Sequence, residues 1–314
     1  MRIHESLQRP FILTAALALA TACVDSTQQT EATMDTLVTP QWLGEHLDDP
    51  DLVVLDCTVL VEPDESGGFR SVSGRANYES GHIPSAGFAD LTGDLSDGAS
   101  PFQYAVPTPE QFAAAMGALG VADDSRVVLY DASGSAWAAR VWWMLRWVGF
   151  DRAALLDGGL AAWTAEGRPL STEPPDRPAG TLTPAPRPEL IADRDEVLAA
   201  IDDDAVVIID VLPEAHYRGE MAFYARPGHI RGAVNIPMQA LTDDSGRYRP
   251  LDELAAMFEG ERNARYITYC GGGIAASSSA FIMTRLGFTD VAVYTASLQE
   301  WAADPANPMD AGTQ

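Results

Sequence analysis

Five landmarks occur twice along this chain, in the same order. Leu52-Val53-Val54-Leu55-Asp56 returns as Val206-Val207-Ile208-Ile209-Asp210, and Gly81-His82-Ile83-Pro84-Ser85-Ala86 returns as Gly228-His229-Ile230-Arg231-Gly232-Ala233. Val127-Val128-Leu129-Tyr130-Asp131 returns as Tyr266-Ile267-Thr268-Tyr269-Cys270, while Gly149-Phe150 and Trp163 have counterparts in Gly287-Phe288 and Trp301. The offset shrinks along the chain, so the first copy carries the longer loops. An ordered duplication of this kind implies two homologous domains, at 36–168 and 189–306, and 314 residues are enough for two. The stretch from Arg168 to Pro188 holds seven prolines, which predicts an extended linker over 169–188. Residues 307–314 form a tail.

Each copy alternates short β-branched runs with helix-period segments, the signature of an α/β fold with a mainly parallel sheet flanked by helices. Val127–Tyr130 and Tyr266–Tyr269 read as buried strands, being short, almost wholly apolar or aromatic, and closed by turn-forming residues. Ser135–Val148 and Ile274–Leu286 read as the helices that follow, each ended by a glycine, Gly149 and Gly287. Ala153–Leu156 and Val291–Tyr294 are expected as the next strands. Ligands of open α/β sheets bind outside the carboxyl ends of the strands. The residues after Tyr130 and Tyr269 are therefore where chemistry is expected.

Residues 1–22 look like an export signal: Arg2 and Arg9 precede an apolar run from Phe11 to Ala20, too short for a bilayer-spanning helix, which needs roughly 20 residues. Small residues lead into Cys23, and the segment resembles a bacterial lipoprotein signal, with Leu replaced by Ala20. The resemblance implies acylation of Cys23, a polar tether over 23–35, and an exported protein lipid-anchored in the periplasm or cell envelope. No later run approaches membrane length, so this anchor is the only membrane contact expected. The formal charge of −25 opposes nucleic-acid binding, because phosphates would be repelled over the whole surface. Three cysteines make no disulfide framework.

The chemistry concentrates in Tyr269-Cys270-Gly271-Gly272-Gly273-Ile274-Ala275-Ala276-Ser277. A cysteine at a strand end is followed by three glycines and then a helix. Glycines let the backbone curl with its N–H groups turned inward, and such a nest at a helix N-terminus favours an anion. Gly271, Gly272, Gly273, Ile274 and Ala275 are the expected anion cradle. A thiol there should be acidified towards thiolate, and the same cradle would hold a persulfide or an oxyanion.

On these residues the chain resembles the tandem-domain rhodanese sulfurtransferases, the group of thiosulfate and 3-mercaptopyruvate sulfurtransferases. The paired Gly-His-Ile segments, Tyr130 to Ser133, the loop from Cys270, and the ending Glu300-Trp301…Asp304-Pro305 carry the resemblance, which covers nearly everything after the tether. In that family only the second domain keeps the cysteine while the first has an aspartate, as Cys270 and Asp131 do here. The implied reaction is ping-pong: Cys270 takes a sulfane sulfur from a small anionic donor and passes it to a thiol or cyanide, with no metal or other cofactor. The loop is closer to the mercaptopyruvate pattern Cys-Gly-Ser-Gly-Val-Thr than to the cationic loops of thiosulfate members, but it lacks the hydroxyls, with Gly272 in the Ser position. Members of that type bind the substrate carboxylate through two arginines after the strand ending at Asp210. Here His216 occupies the first position, leaving Arg218 and Arg226 as candidate binders of a carboxylate or sulfonate. His82 is a candidate relay partner, with a turn-holding role favoured because His229 repeats it.

Other residues read as structural. Cys57 is expected to be a small half-buried side chain rather than a resolving thiol, and Asp56 and Asp210 to cap backbone amides. Trp137, Trp142, Trp143 and Trp147 are expected in the core or between the domains, with Arg140 pairing an acid there. Phosphatases and arsenate reductases of this fold need an arginine to close a longer loop, and Ala276 and Ser277 cannot supply it. A non-enzymatic alternative is a degenerate rhodanese pair that binds a partner in response to sulfur or redox state.

Overall fold

The computed structural model describes Met1 and residues 34–64, 69–132 and 134–312. Cys23 and the rest of the export segment lie outside the described residues. In the first repeat the strands are β1 (Leu37–Val38), β2 (Leu52–Asp56), the hairpin β3 (Val59–Pro63) and β4 (Phe69–Ser73), β5 (Gly87–Phe88), β6 (Arg126–Tyr130) and β7 (Ala153–Leu156). The second repeat contributes β8 (Ile191–Ala192), β9 (Val206–Asp210), β10 (His229–Ile230), β11 (Val234–Asn235), β12 (Arg265–Tyr269), β13 (Asp290–Tyr294) and β14 (Met309–Asp310).

Two five-stranded parallel sheets result, ordered β1-β7-β6-β2-β5 and β8-β13-β12-β9-β11. Position for position the two orders are the same, so the duplicated landmarks occupy equivalent places. Alternation along each strand divides its side chains between two faces. Leu52, Val54, Val128 and Ala154 join one buried cluster, and Ile208, Ile267 and Ala292 join another. The opposite faces, with Val53, Val127, Ile209 and Val293, share a single core that spans both repeats.

That shared core is built on two helices, Ala136–Trp147 and Ile274–Arg285, which pack against each other. Both are buried over most of their surface, as a helix must be when sheet lies on one side and helix on the other. Trp142 meets Phe281 edge to face at 4.9 Å across the repeat boundary, a geometry contributing about 0.5–1.5 kcal/mol beyond burial. Trp137 packs on Tyr104 and Trp147 on Phe112, so only part of the tryptophan set faces the second repeat. Gly149 and Gly287 follow the helices at φ +90° and +85°, the left-handed stop that favours glycine.

The linker runs without regular structure along the first repeat. Its backbone bonds to Gly117, Asp123, Val148 and Trp147, and Thr183 is held by the Asp123 carboxylate. Asp35, placed at the end of the tether by its polar surroundings, is fixed instead: its carboxylate pairs with Arg285 and accepts the Leu37 amide. Among the described residues no helix is long and apolar enough to cross a membrane.

Candidate active site

The Gly-His-Ile motif proves to be one half of a device that each repeat uses once. Tyr269, at the end of β12, donates its hydroxyl to Asp210 at 2.6 Å and accepts the Ile230 amide at 3.0 Å. Tyr130, at the end of β6, likewise accepts the Ile83 amide at 3.2 Å beside Asp56. His229 lies 3.6 Å over the Tyr217 ring with Nδ1 2.7 Å from its carbonyl oxygen. His82 stacks 4.0 Å over Tyr78 with the same 2.7 Å contact, and its Nε2 faces the Glu173 carbonyl. Both ring nitrogens of His82 thus face backbone carbonyls. The residue holds a turn and the linker, and is not a relay partner.

Asp56 and Asp210 cap the amides two residues on, at 2.9 and 2.8 Å. Burial pushes the Asp210 carboxyl up to about 6, against the pull of the Tyr269 hydroxyl and the Leu212 amide. Because the folded chain holds this proton more tightly than the unfolded chain, whose ordinary value is 3.8, the group's contribution to stability is complete below about pH 4 and is lost as the pH rises through about 6. Asp210→Asn removes this loss. The variant is expected to gain roughly 3 kcal/mol on the wild type between about pH 4 and pH 7, whatever its offset at low pH, as read by denaturant titration. A pH-independent gap between the two proteins would refute it.

Cys270 follows β12 and is 3% exposed. Two neighbours fix its backbone: Ser297 Oγ accepts the Cys270 amide at 3.1 Å, and the Leu298 amide donates to the Cys270 carbonyl at 3.1 Å. Ser297 itself sits at φ +51° with its hydroxyl donating to the Tyr294 carbonyl. The loop then curls so that the Gly273 amide donates to Cys270 Sγ at 3.2 Å. The amides of Gly271, Gly272, Ile274 and Ala275 donate to no protein acceptor among the described residues. Together with the helix they open, they form the anion cradle expected from the sequence.

Each of the three glycines faces a different neighbour, and only at Gly273 would a Cβ crowd backbone. A Cβ at Gly271 would overlap the Tyr224 hydroxyl. At Gly272 a Cβ would come within 2.7 Å of Gln299 Nε2, whose amide exchanges two hydrogen bonds with the Gln103 backbone of the first repeat, at 2.9 and 3.0 Å. The space beside Gly272 is thus taken by a clamp between the repeats. Gly273 is at φ +81°, with Thr295 O 2.8 Å and Arg140 Nη1 3.0 Å from the Cβ position. Tyr224, Ser297 and Gln299 carried no spacing or motif signal in the sequence, because they reach the loop from other segments of the fold.

Both candidate arginines are engaged elsewhere. Arg226 spreads its guanidinium over the carbonyls of Trp301, Ala302, Asp304 and Asn307, at 2.7–3.0 Å, and so pins the C-terminal segment. Arg218 is paired with Glu214 and Glu220 on the surface. His216 is buried against Phe223, their rings 4.4 Å apart, and burial pushes its imidazole below the ordinary range. It is neutral at neutral pH and supplies no cation for a carboxylate. Cys57 is fully buried rather than half-buried, and burial pushes its thiol well up, with Asp56 and Asp131 adding to the effect. Both Cys57 and Cys270 are free thiols.

A thiol set in a glycine-rich anion cradle, at the carboxyl edge of one of two duplicated parallel sheets, defines a two-domain α/β protein built for cysteine nucleophile chemistry. The chain belongs to the rhodanese-like domain family, which it matches twice, over residues 39–166 and 193–304. It is 35% identical over 277 residues to a 3-mercaptopyruvate sulfurtransferase of Escherichia coli, covering 86% of this chain and 95% of the relative. It is 34% identical over 280 residues to a thiosulfate sulfurtransferase of Bos taurus, covering 84% and 91%. The solved structure of SseA from Escherichia coli, a 3-mercaptopyruvate sulfotransferase of rhodanese fold, superposes with a TM-score of 0.75 at 33% identity, over 84% of this chain and 99% of that one.

Proposed function

We propose that the protein is a sulfurtransferase that moves a sulfane sulfur from thiosulfate or 3-mercaptopyruvate to a thiol or cyanide through a persulfide on Cys270. The observation that carries this reading is the contact of the Gly273 amide with Cys270 Sγ at 3.2 Å, inside a loop where the amides of Gly271, Gly272, Ile274 and Ala275 have no protein acceptor among the described residues. In the first half-reaction the Cys270 thiolate attacks the sulfane sulfur and the bond from that sulfur to the donor breaks. Its electron pair leaves with sulfite, or with the pyruvate enolate, which takes up a proton. In the second half the acceptor attacks the outer sulfur and the S–S pair returns to Cys270. The cradle serves both halves because thiolate and persulfide are both anions centred above the same amides. With Arg218, Arg226 and His216 directed elsewhere, donor affinity rests on the cradle.

The test is to incubate the protein with each donor and read its intact mass, then add cyanide and measure thiocyanate. A mass gain of one sulfur atom, discharged by cyanide, is expected. Absence of both with either donor would favour the degenerate, partner-binding alternative. The chain is further proposed to be exported and anchored through acylated Cys23, on the strength of the segment from Arg2 to Cys23. The intact mass of protein taken from the producing cell reads this too: the expected chain begins at Cys23 and carries acyl groups, and an uncleaved or unacylated chain would contradict it.

A further inference from the structure

The helix Ala136–Trp147 of the first repeat carries one charged side chain that is fully buried, Arg140. Sequence reasoning expected an acidic partner for it at the interface. No ion pair to its guanidinium is found among the described residues, and the charged group that acts on it is Cys270. Its Nη2 donates to the Tyr104 carbonyl at 2.9 Å and its Nη1 reaches the Gly273 carbonyl at 3.4 Å. The Trp143 ring lies 4.8 Å beneath it. Its Nε meets no protein acceptor among the described residues. Two neutral carbonyls and a ring face do not balance a buried charge, and a buried cation without a counter-ion is strongly destabilising. Arginine does not escape by losing its proton.

Arg140 and Cys270 meet the same residue. Gly273 is the residue whose carbonyl Arg140 approaches and whose amide touches Cys270 Sγ. Building on the sulfurtransferase reading, we propose that Arg140 of the non-catalytic repeat is the fixed countercharge of Cys270, stabilising its thiolate and persulfide anions from behind the loop. Arg140 is a positioning residue: it acts through Gly273 and through its field, and touches no donor. The assignment gives the first repeat a role in the chemistry, although it has lost the cysteine, and it explains why the two helices must pack together. Consistent with this geometry, burial pushes the guanidinium down to about 10 while the Cys270 sulfur pushes it back up, so it is still a cation at neutral pH.

The test reads Cys270 without any sulfur donor. The rate of iodoacetamide alkylation at Cys270, located by peptide mass, is followed against pH in wild type, Arg140→Gln and Arg140→Lys. Gln removes the charge and, being shorter, also the reach to the two carbonyls, so Lys is the control that keeps the charge. Gln is expected to move the midpoint of the profile upward by about one pH unit and to slow alkylation at neutral pH by about tenfold. Lys keeps the charge but loses the planar fork, and its midpoint should lie closer to wild type than that of Gln. A purely structural role would lower thermal stability and leave the midpoint in place. Arg140→Gln with a native near-UV spectrum and an unmoved midpoint overturns the proposal.

If Arg140→Gln does not fold, the melting temperatures of wild type and Cys270→Ser are compared against pH. The gap should widen as the thiol ionises, because serine leaves Arg140 without its partner, and a flat gap overturns the proposal. A shifted alkylation profile with no sulfur transfer by wild type would sink the sulfurtransferase reading and leave Arg140 as the countercharge. Transfer with an unmoved profile would do the reverse.

Discussion

Cys270→Ser is expected to lower thiocyanate production from both donors by at least about 10⁴-fold, the scale at which a covalent nucleophile is lost. A serine hydroxyl fits the same space but is hardly ionised at neutral pH and forms no stable adduct with a sulfane sulfur. The fold should survive, because the bonds that fix this residue run through its backbone, to Ser297 Oγ and from the Leu298 amide. Intact mass after incubation with donor should show no added sulfur on the variant. If sulfur were retained, the remaining described thiol, Cys57, would be the suspect. That residue is fully buried and its thiol is pushed well up by burial, so adding Cys57→Ala to wild type should change transfer by less than about twofold. Substantial transfer by Cys270→Ser would remove the persulfide mechanism altogether.

Gly273→Ala should have the next largest effect, although it adds only a methyl group. At φ +81° an alanine costs about 1–2 kcal/mol in backbone strain. The methyl would also lie 2.8 Å from the Thr295 carbonyl oxygen, and backbone cannot swing aside as a side chain can, which adds about 1–3 kcal/mol. The loop relieves both by shifting, and the Gly273 amide then leaves Cys270 Sγ. Loss of one preorganised donor to a reacting anion typically costs about 10²–10³ in rate, and a fall of that size in kcat/KM is expected. Gly287→Ala is the control. It stands just past the other end of the same helix at φ +85°, with open space where the Cβ would lie. It should show the strain cost in denaturant titration and keep the activity. Equal losses in the two variants would mean that helix stability, and not the amide contact, sets the rate.

The duplication was legible in the amino acids because sheet strands and tight turns impose strong local demands. Buried parallel strands need unbroken β-branched runs, and a helix ending in the left-handed region needs glycine. The strand, helix and loop positions around Cys270 follow from those demands, and so does the cradle, since consecutive glycines before a helix have few structural uses. What the sequence could not assign were partners brought together by packing. Arg218 and Arg226 sit near the expected substrate strand, yet one is neutralised by Glu214 and Glu220 and the other caps four carbonyls of the C-terminal segment. Charge is visible in a sequence; the direction of a side chain is not. The histidine of Gly-His-Ile was ambiguous for the same reason until the stacked tyrosine and its carbonyl fixed it in both repeats.

By itself, then, the sequence determined two copies of one α/β unit, a single thiol at the catalytic strand end, and a backbone able to hold an anion over it. These are local properties, set by backbone preference and by residues adjacent along the chain. Only the tertiary structure decided what surrounds the sulfur. It set Tyr224 and Gln299 against the glycines, turned the two arginines away, and brought the buried cation of the first repeat to the far side of the loop. The last of these depends on how two helices separated by more than a hundred residues pack in one core. The others depend on contacts within the second repeat, most of them between distant segments, and residue type alone encodes neither.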